Sequence, residues 1–281
     1  MNPRNFRSII SLLVLVALVA PPMAVAANKD EKKEKEVFVP AGIRHAAWGR
    51  LLQKYVDPQG LVNYSAWQAN PADRAVLDGY LAQYERAGSK ATGADKAAAF
   101  ANAYNAFTIR WMLQNYPTES IWRTKEPFDV RRHRVGGELV SLSDIEKGTL
   151  IPAIGWKAHG VLVCAARSCP PLQRSAYIAA QFNAQVDAVY RIWLARPDLN
   201  AFRPERKRAE ISSIFKWYKA DYAKVGGPKP ILTRYAPPAY RDFLASDDYE
   251  IKYRSYNWGL NDQGSRGRSY SRLNLYLDNL F

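Results

Sequence analysis

Residues 159–172 hold both cysteines of the chain, Cys164 and Cys169, and one of its three histidines, His159. A thiolate is a strong nucleophile, but a thiol needs a base or a positive field to ionise near neutral pH. Cys164 as nucleophile, His159 as base and Glu146 or Asn105 as the group that orients the base would make a thiol hydrolase or acyl transferase. His159 lies five positions before Cys164, so on one straight strand the two would stand roughly 16 Å apart and on opposite faces. A direct pair therefore needs a bend after Gly160; otherwise His45 or His133 serves the thiol, or no base exists. The two cysteines equally admit a disulfide, since a turn across the intervening residues 165–168 can bring two sulfurs into range. They also admit inert burial.

Other residues in the stretch have plainer readings beside their chemical ones. Arg167 could depress a thiol pKa or hold a substrate carboxylate; as a loop charge it is simply solvated. Ser168 could bind substrate or close the turn. Glu146 could orient a histidine, but Ser143-Asp144-Ile145-Glu146 also reads as a capping box, which would occupy its carboxylate at a helix start. No set of histidines and cysteines has zinc-ligand spacing, and no phosphate-binding glycine loop or Gly-x-Ser-x-Gly elbow is present, so no metal and no cofactor are expected.

The elements that must position these residues follow from apolar periodicity. The run at residues 161–163, short and β-branched and followed by Pro170-Pro171, reads as a buried strand that ends at Cys164. Residues 95–116 give the longest helical signal, with Phe100, Tyr104, Phe107 and Trp111 in one stripe and small or apolar residues opposite, as in a helix buried on most sides. Asn102 and Asn105 share one face of it. They either tie the helix to neighbouring backbone or line a site, where Asn102 or Tyr104 would bind substrate. Further helices are expected at 45–55, 71–86, 179–194 and 211–222, a hairpin about Gly136-Gly137, and an edge strand at 249–256.

Length and composition bound the rest. The 281 residues are nearly half apolar, enough for one large domain. Arg4 and Arg7, an apolar run over 9–20, Pro21-Pro22 and Ala24-Val25-Ala26 have the three parts of a secretory signal peptide. The expected organisation is a signal peptide over 1–26, a disordered linker over 27–40, one α+β domain over 41–261 and a loose basic tail over 262–281. That address is the periplasm or the extracellular space. The formal charge is +14, and loss of Arg4 and Arg7 leaves about +12. An excess of this kind favours a small-molecule, peptide or envelope substrate of anionic character. Nucleic acid is not expected, given the address and the scatter of the basic residues, and no segment after the leader is long and apolar enough to span a bilayer.

Several separated motifs, in order, resemble the DUF547 family. They are Leu61-Val62-Asn63-Tyr64 with Trp67, then Asn102-Ala103-Tyr104-Asn105-Ala106-Phe107, then Ser141-Leu142-Ser143-Asp144-Ile145-Glu146. Residues 159–172 follow, then Ile214-Phe215-Lys216-Trp217-Tyr218 and Tyr256-Asn257-Trp258-Gly259-Leu260-Asn261. The likeness runs from about Trp48 to Asn261. It implies that Cys164 rather than Cys169 is the cysteine shared with plant relatives, which favours Cys164 as a thiol over an essential disulfide. The family label itself assigns no activity. The expected fold is a central buried helix packed on a small mixed or antiparallel sheet that contains the strand before Cys164, loosely papain- or transglutaminase-like. The alternative to the enzyme is a non-catalytic envelope binding module stapled by Cys164–Cys169.

Overall fold

The computed structural model describes residues 34–268 and 270; the expected signal peptide, residues 27–33 of the expected linker and most of residues 269–281 lie outside the described residues. The described residues belong to one compact unit beginning at Glu34. It is α+β, mostly helical, with two small sheets.

The longest helix, α4 (Gly93–Asn115), is buried almost all round along residues 97–109, as its alanine-rich stretch, uncharged between Lys96 and Arg110, requires. Tyr116-Pro117 ends it. Before it come α1 (Ala46–Tyr55), α2 (Tyr64–Gln68) and α3 (Pro71–Ala82). They close one side through an aromatic cluster in which Trp48 stacks on Tyr80 at 5.9 Å and Tyr55 on Trp67 at 4.6 Å. Asn63 and Asn70 cap α2 and α3 with their side chains, each accepting a backbone N–H.

The hairpin forms where the two glycines place it: β1 (His133–Val135) pairs antiparallel with β2 (Glu138–Val140). Next come α5 (Leu142–Ile145), a π-helical turn over Glu146–Leu150, α6 (Ile151–Ile154) and α7 (Ala158–Val161). The long helix α8 (Phe182–Leu194) follows. The second sheet has the order β3 (Ala201–Arg203), β4 (Arg208–Ile211), β5 (Glu250–Tyr253), with β3–β4 antiparallel and β4–β5 parallel. Between β4 and β5 lie α9 (Ile214–Trp217), α10 (Lys219–Ala223), α11 (Pro228–Tyr235) and α12 (Arg241–Ala245).

Four expectations change. Residues 158–161 form a helical turn rather than a strand, and 162–164 continue extended but unpaired; a short apolar run carries no period that separates the two. No sheet therefore holds Cys164, and the elements packed most extensively on α4 are helices. The expected helix at 211–222 is split into the end of β4 and two short helices. Residues 34–40 are packed rather than disordered: Val37 and Val39 are buried, and the Lys35 and Val37 amides donate to Asp144 and Thr149. Finally, 262–268 is tied down. Asp262 pairs with Val62, and the Gln263 amide donates to the carbonyls of Tyr55 and Leu61.

Candidate functional site

Asn105 fixes the approach to the cysteines. Its Nδ2 donates to the Val161 carbonyl and its Oδ1 accepts from the Val163 amide, both at 2.9 Å. The extended segment before Cys164, which has no strand partner, thus takes its backbone bonds from α4. Asn102 does the same for Tyr177, donating to its carbonyl at 2.8 Å and accepting from its amide at 2.9 Å. Both amides are buried and committed to backbone. Gly160 answers a packing need: a Cβ there would overlap the ring of Tyr190.

After Cys164 the chain turns sharply. Ala165 is buried and sits at φ 62, in the left-handed region that costs an L residue about 1–2 kcal/mol. Residues 165–168 are then laced to 257–261. The Asn261 amide donates to the Ala165 carbonyl, Arg167 to Gly259 and Ser168 to Asn257. Strain at one residue held by a ladder on the next is the pattern of a preorganised site. Ser168 Oγ accepts from the Asn257 amide at 2.8 Å. Arg167 turns the other way, donating to the carbonyls of Asp262 and Arg266 at 2.7 and 3.1 Å. It is an anchor for 262–266 and faces away from the thiols.

The turn brings the two sulfurs to 2.6 Å, and both residues are free cysteines. Cys169 collects donors: the Cys164 amide at 3.2 Å and the Tyr256 hydroxyl at 3.1 Å, with the Cys164 thiol beside them. Burial raises its thiol, but these donors outweigh burial and hold it below its ordinary value. Cys164 moves the opposite way, pushed up first by its neighbour's sulfur and then by burial. Such a pair ionises in two steps, one early and one late.

Both cysteines open onto a cleft of about 280 Å³. One wall is aromatic. Trp217 stacks on Trp258 at 5.7 Å, Tyr256 lies 4.5 Å from Trp258, and Trp122 meets Trp258 edge-on at 5.3 Å. Trp217 is 48% exposed, unusual for so large a ring.

The other wall carries titratable groups. His159, on α7, lines the cleft, and its Nε2 is 3.0 Å from Asp221 Oδ2. Tyr218 stacks on its ring at 3.8 Å. Burial drives the imidazole down to about 4 against the pull of Asp221, so His159 is neutral at neutral pH. With Nε2–H donating to Asp221, Nδ1 is the basic nitrogen. Asp221 is itself held as a carboxylate by Lys224 at 3.0 Å, against the cost of its partial burial. No hydrogen bond joins His159 to Cys164; they share the cleft without touching.

Glu146 stands where α5 gives way to the π-helical turn, a distortion often found at functional sites. Its capping-box reading is overturned. The box is Ser141 with Asp144, whose side chains exchange bonds with each other's backbone amides, so the overlapping Ser143 pattern is displaced by two residues. Glu146 is left to line the cleft, accepting a 2.5 Å bond from the Tyr218 hydroxyl. Removal from water raises its carboxyl above the ordinary value, while Tyr218, Lys147 and Tyr104 oppose that rise. Glu146 therefore contacts Tyr218 rather than His159, and Asp221 is the residue that holds the histidine. Tyr104, from α4, lines the same cleft; burial pushes its phenol well up, with Glu146 and Cys164 adding to the effect.

Of the sequence-derived candidates, the cleft gathers Cys164, Cys169, His159, Glu146 and Tyr104; Asn102, Asn105, Arg167 and Ser168 lie outside it as backbone clamps. His45 bonds Tyr80, and His133 stacks on Phe107 at 4.4 Å; neither reaches the thiols. Asp221, Tyr218, Trp217, Tyr256 and Trp258 are additional site residues. All but Asp221 fall in the two C-terminal motifs that carry the family resemblance.

The fold and site thus define an α+β protein with a dithiol at the end of an aromatic cleft. The family model described as "Protein of unknown function, DUF547" matches residues 89–194. The match covers α4, the Glu146 turn and the cysteine loop. No curated protein and no solved structure matches the chain. Among the described residues no helix is long and apolar enough to cross a membrane.

Proposed function

We propose that this cleft is the active site of an exported thiol-dependent hydrolase or acyl transferase that works on a small-molecule or peptide substrate of the cell envelope. The observation that carries the reading is the convergence, in one cleft, of a dithiol, a neutral histidine held by an aspartate, and a carboxyl whose protonation is shifted upward. Cys164 is the nucleophile because it is the more exposed thiol of the pair. His159 Nδ1 accepts its proton as substrate fills the gap between them. The thiolate adds to an acyl carbon to give a thioester, and the leaving group takes from His159 the proton that it had accepted from Cys164, which returns His159 to the neutral form. Water or an acceptor activated by His159 then releases the acyl group. The aromatic wall suits a ring or apolar face beside the scissile carbonyl, and a net basic chain favours an anionic substrate.

The test is a panel of activated esters and thioesters read by intact mass under reducing conditions. One acyl group is expected on Cys164, absent in Cys164→Ala, and turnover in His159→Ala should fall by about 10²-fold or more. Unchanged turnover in Cys164→Ala, with its melting curve intact, would overturn the proposal. The non-catalytic stapled module has the close approach of the sulfurs in its favour. It predicts salt-sensitive binding to an anionic envelope polymer and no acyl adduct.

A further inference from the structure

We propose that Cys164 and Cys169 are a reactive dithiol that exchanges with low-molecular-weight disulfides, closing reversibly to a Cys164–Cys169 disulfide. The pairing uses both sulfurs, which acyl transfer does not require, since a thiol acyltransferase needs one.

Three observations point to it. The sulfurs already lie side by side as free thiols, 2.6 Å apart. They are held there without a cross-link, because the left-handed turn at Ala165 and the ladder from 165–168 to 257–261 set the backbone on both sides. Closure therefore needs little ordering of the chain. Finally, the two sulfurs are inequivalent. Cys169 is buried and supplied with the Tyr256 hydroxyl and the Cys164 amide, which favour negative charge, while Cys164 is partly exposed and lines the cleft, through which a disulfide can approach it. An accessible attacking sulfur beside a buried resolving one is the arrangement that exchange chemistry uses.

In the singly ionised pair the charge rests on Cys169 and the proton on Cys164. As Cys164 attacks one sulfur of RSSR, its proton passes to Cys169; a Cys164–S–S–R bond forms and RS⁻ leaves. Cys169 then loses that proton to the departed thiolate and attacks the Cys164 sulfur, and the second RS⁻ leaves. Two cysteines are oxidised by two electrons, and RSSR is reduced to one RSH and one RS⁻. While the disulfide lasts, neither sulfur is a nucleophile, so oxidation switches off any thiol chemistry in the cleft.

The experiment equilibrates the purified protein in buffers of reduced and oxidised glutathione at fixed pH, quenches with an alkylating agent, and reads intact mass. A single two-electron transition from doubly alkylated to unalkylated protein is expected, fully reversed by excess reduced glutathione. Tryptophan fluorescence from the adjoining wall should follow the same midpoint. In Cys169→Ser, a glutathione mixed disulfide should accumulate on Cys164. Two alkylated thiols at every ratio, a mixed disulfide that persists in the wild type, or a disulfide that glutathione never reduces would each overturn the proposal. The readout needs no acyl substrate. A protein that cycles but forms no acyl adduct refutes the acyl-transfer reading alone, and one that acylates but does not cycle refutes this inference alone.

Discussion

The asparagines of α4 and the titratable groups of the cleft are both taken out of water, yet they treat burial in opposite ways. Asn102 and Asn105 each pair one donor and one acceptor with backbone, leaving nothing to react. In the cleft the partners are mainly other side chains: Tyr218 on Glu146, Asp221 on His159, and on Cys169 the Tyr256 hydroxyl and the Cys164 thiol beside one backbone amide. Protons there sit in balances that burial has shifted, and a substrate can shift them again. Polar groups bonded to backbone build; polar groups bonded to one another, at an opening, are equipped for chemistry.

The contrast can be broken hardest on the clamp side. Asn105→Ala would leave the Val161 carbonyl and the Val163 amide unpaired in the core, at about 1–3 kcal/mol for each group. A stability loss of about 2–5 kcal/mol is expected by denaturant unfolding; a loss under about 1 kcal/mol would show that the clamp is incidental.

Acid should come next. His159 and His133 are both depressed by burial, to about 4 and about 3, so the unfolded chain binds protons that the folded one refuses. Their contribution is complete above the ordinary value near 6.5 and is lost as pH falls from there toward 4 and below. For His159 alone the shift corresponds to on the order of 3 kcal/mol. Stability flat between pH 6.5 and 4 would contradict the burial of both rings.

Tyr218→Phe removes the bond that opposes the rise of Glu146, so its carboxyl should titrate higher than in the wild type, with about 1 kcal/mol less stability. Carbon-detected NMR of the Glu146 carboxyl reads this directly; a downward shift would mean that the tyrosine does not stabilise the carboxylate. Ala165→Gly should have the smallest effect. Relief of the left-handed backbone is offset by the entropy of glycine in the unfolded chain, so a change within about 1 kcal/mol is expected, while Ala165→Val should destabilise clearly.

Much of the scaffold was legible in advance. The helix expected at 95–116 is Gly93–Asn115, because a long apolar pattern of period 3.6 has few competitors. The hairpin sits on its glycines, and the alternation at 249–256 contains the edge strand β5. The cysteine loop was legible as a turn, though the strand before it was a helical turn, a distinction that three apolar residues cannot carry. Two overlapping Ser-x-x-acid patterns hid the fate of Glu146, since only tertiary packing selects which serine starts the helix. The histidine's partner could not be read at all. Asp221 lies 62 positions after His159, on a short helix whose sequence resembles any amphipathic surface segment. Trp217, Tyr256 and Trp258 look in sequence like core aromatics, and only the fold sets them side by side at an opening.

The most direct test of the reactive cleft is the rate of alkylation of each cysteine against pH in the folded protein, resolved by peptide mass. Two ionisations are expected, the first below and the second above the ordinary thiol range near 8.5, with Tyr256→Phe moving the first upward. A single ordinary ionisation, or labelling that begins only when the protein unfolds, would show two inert cysteines and remove the chemistry from this cleft.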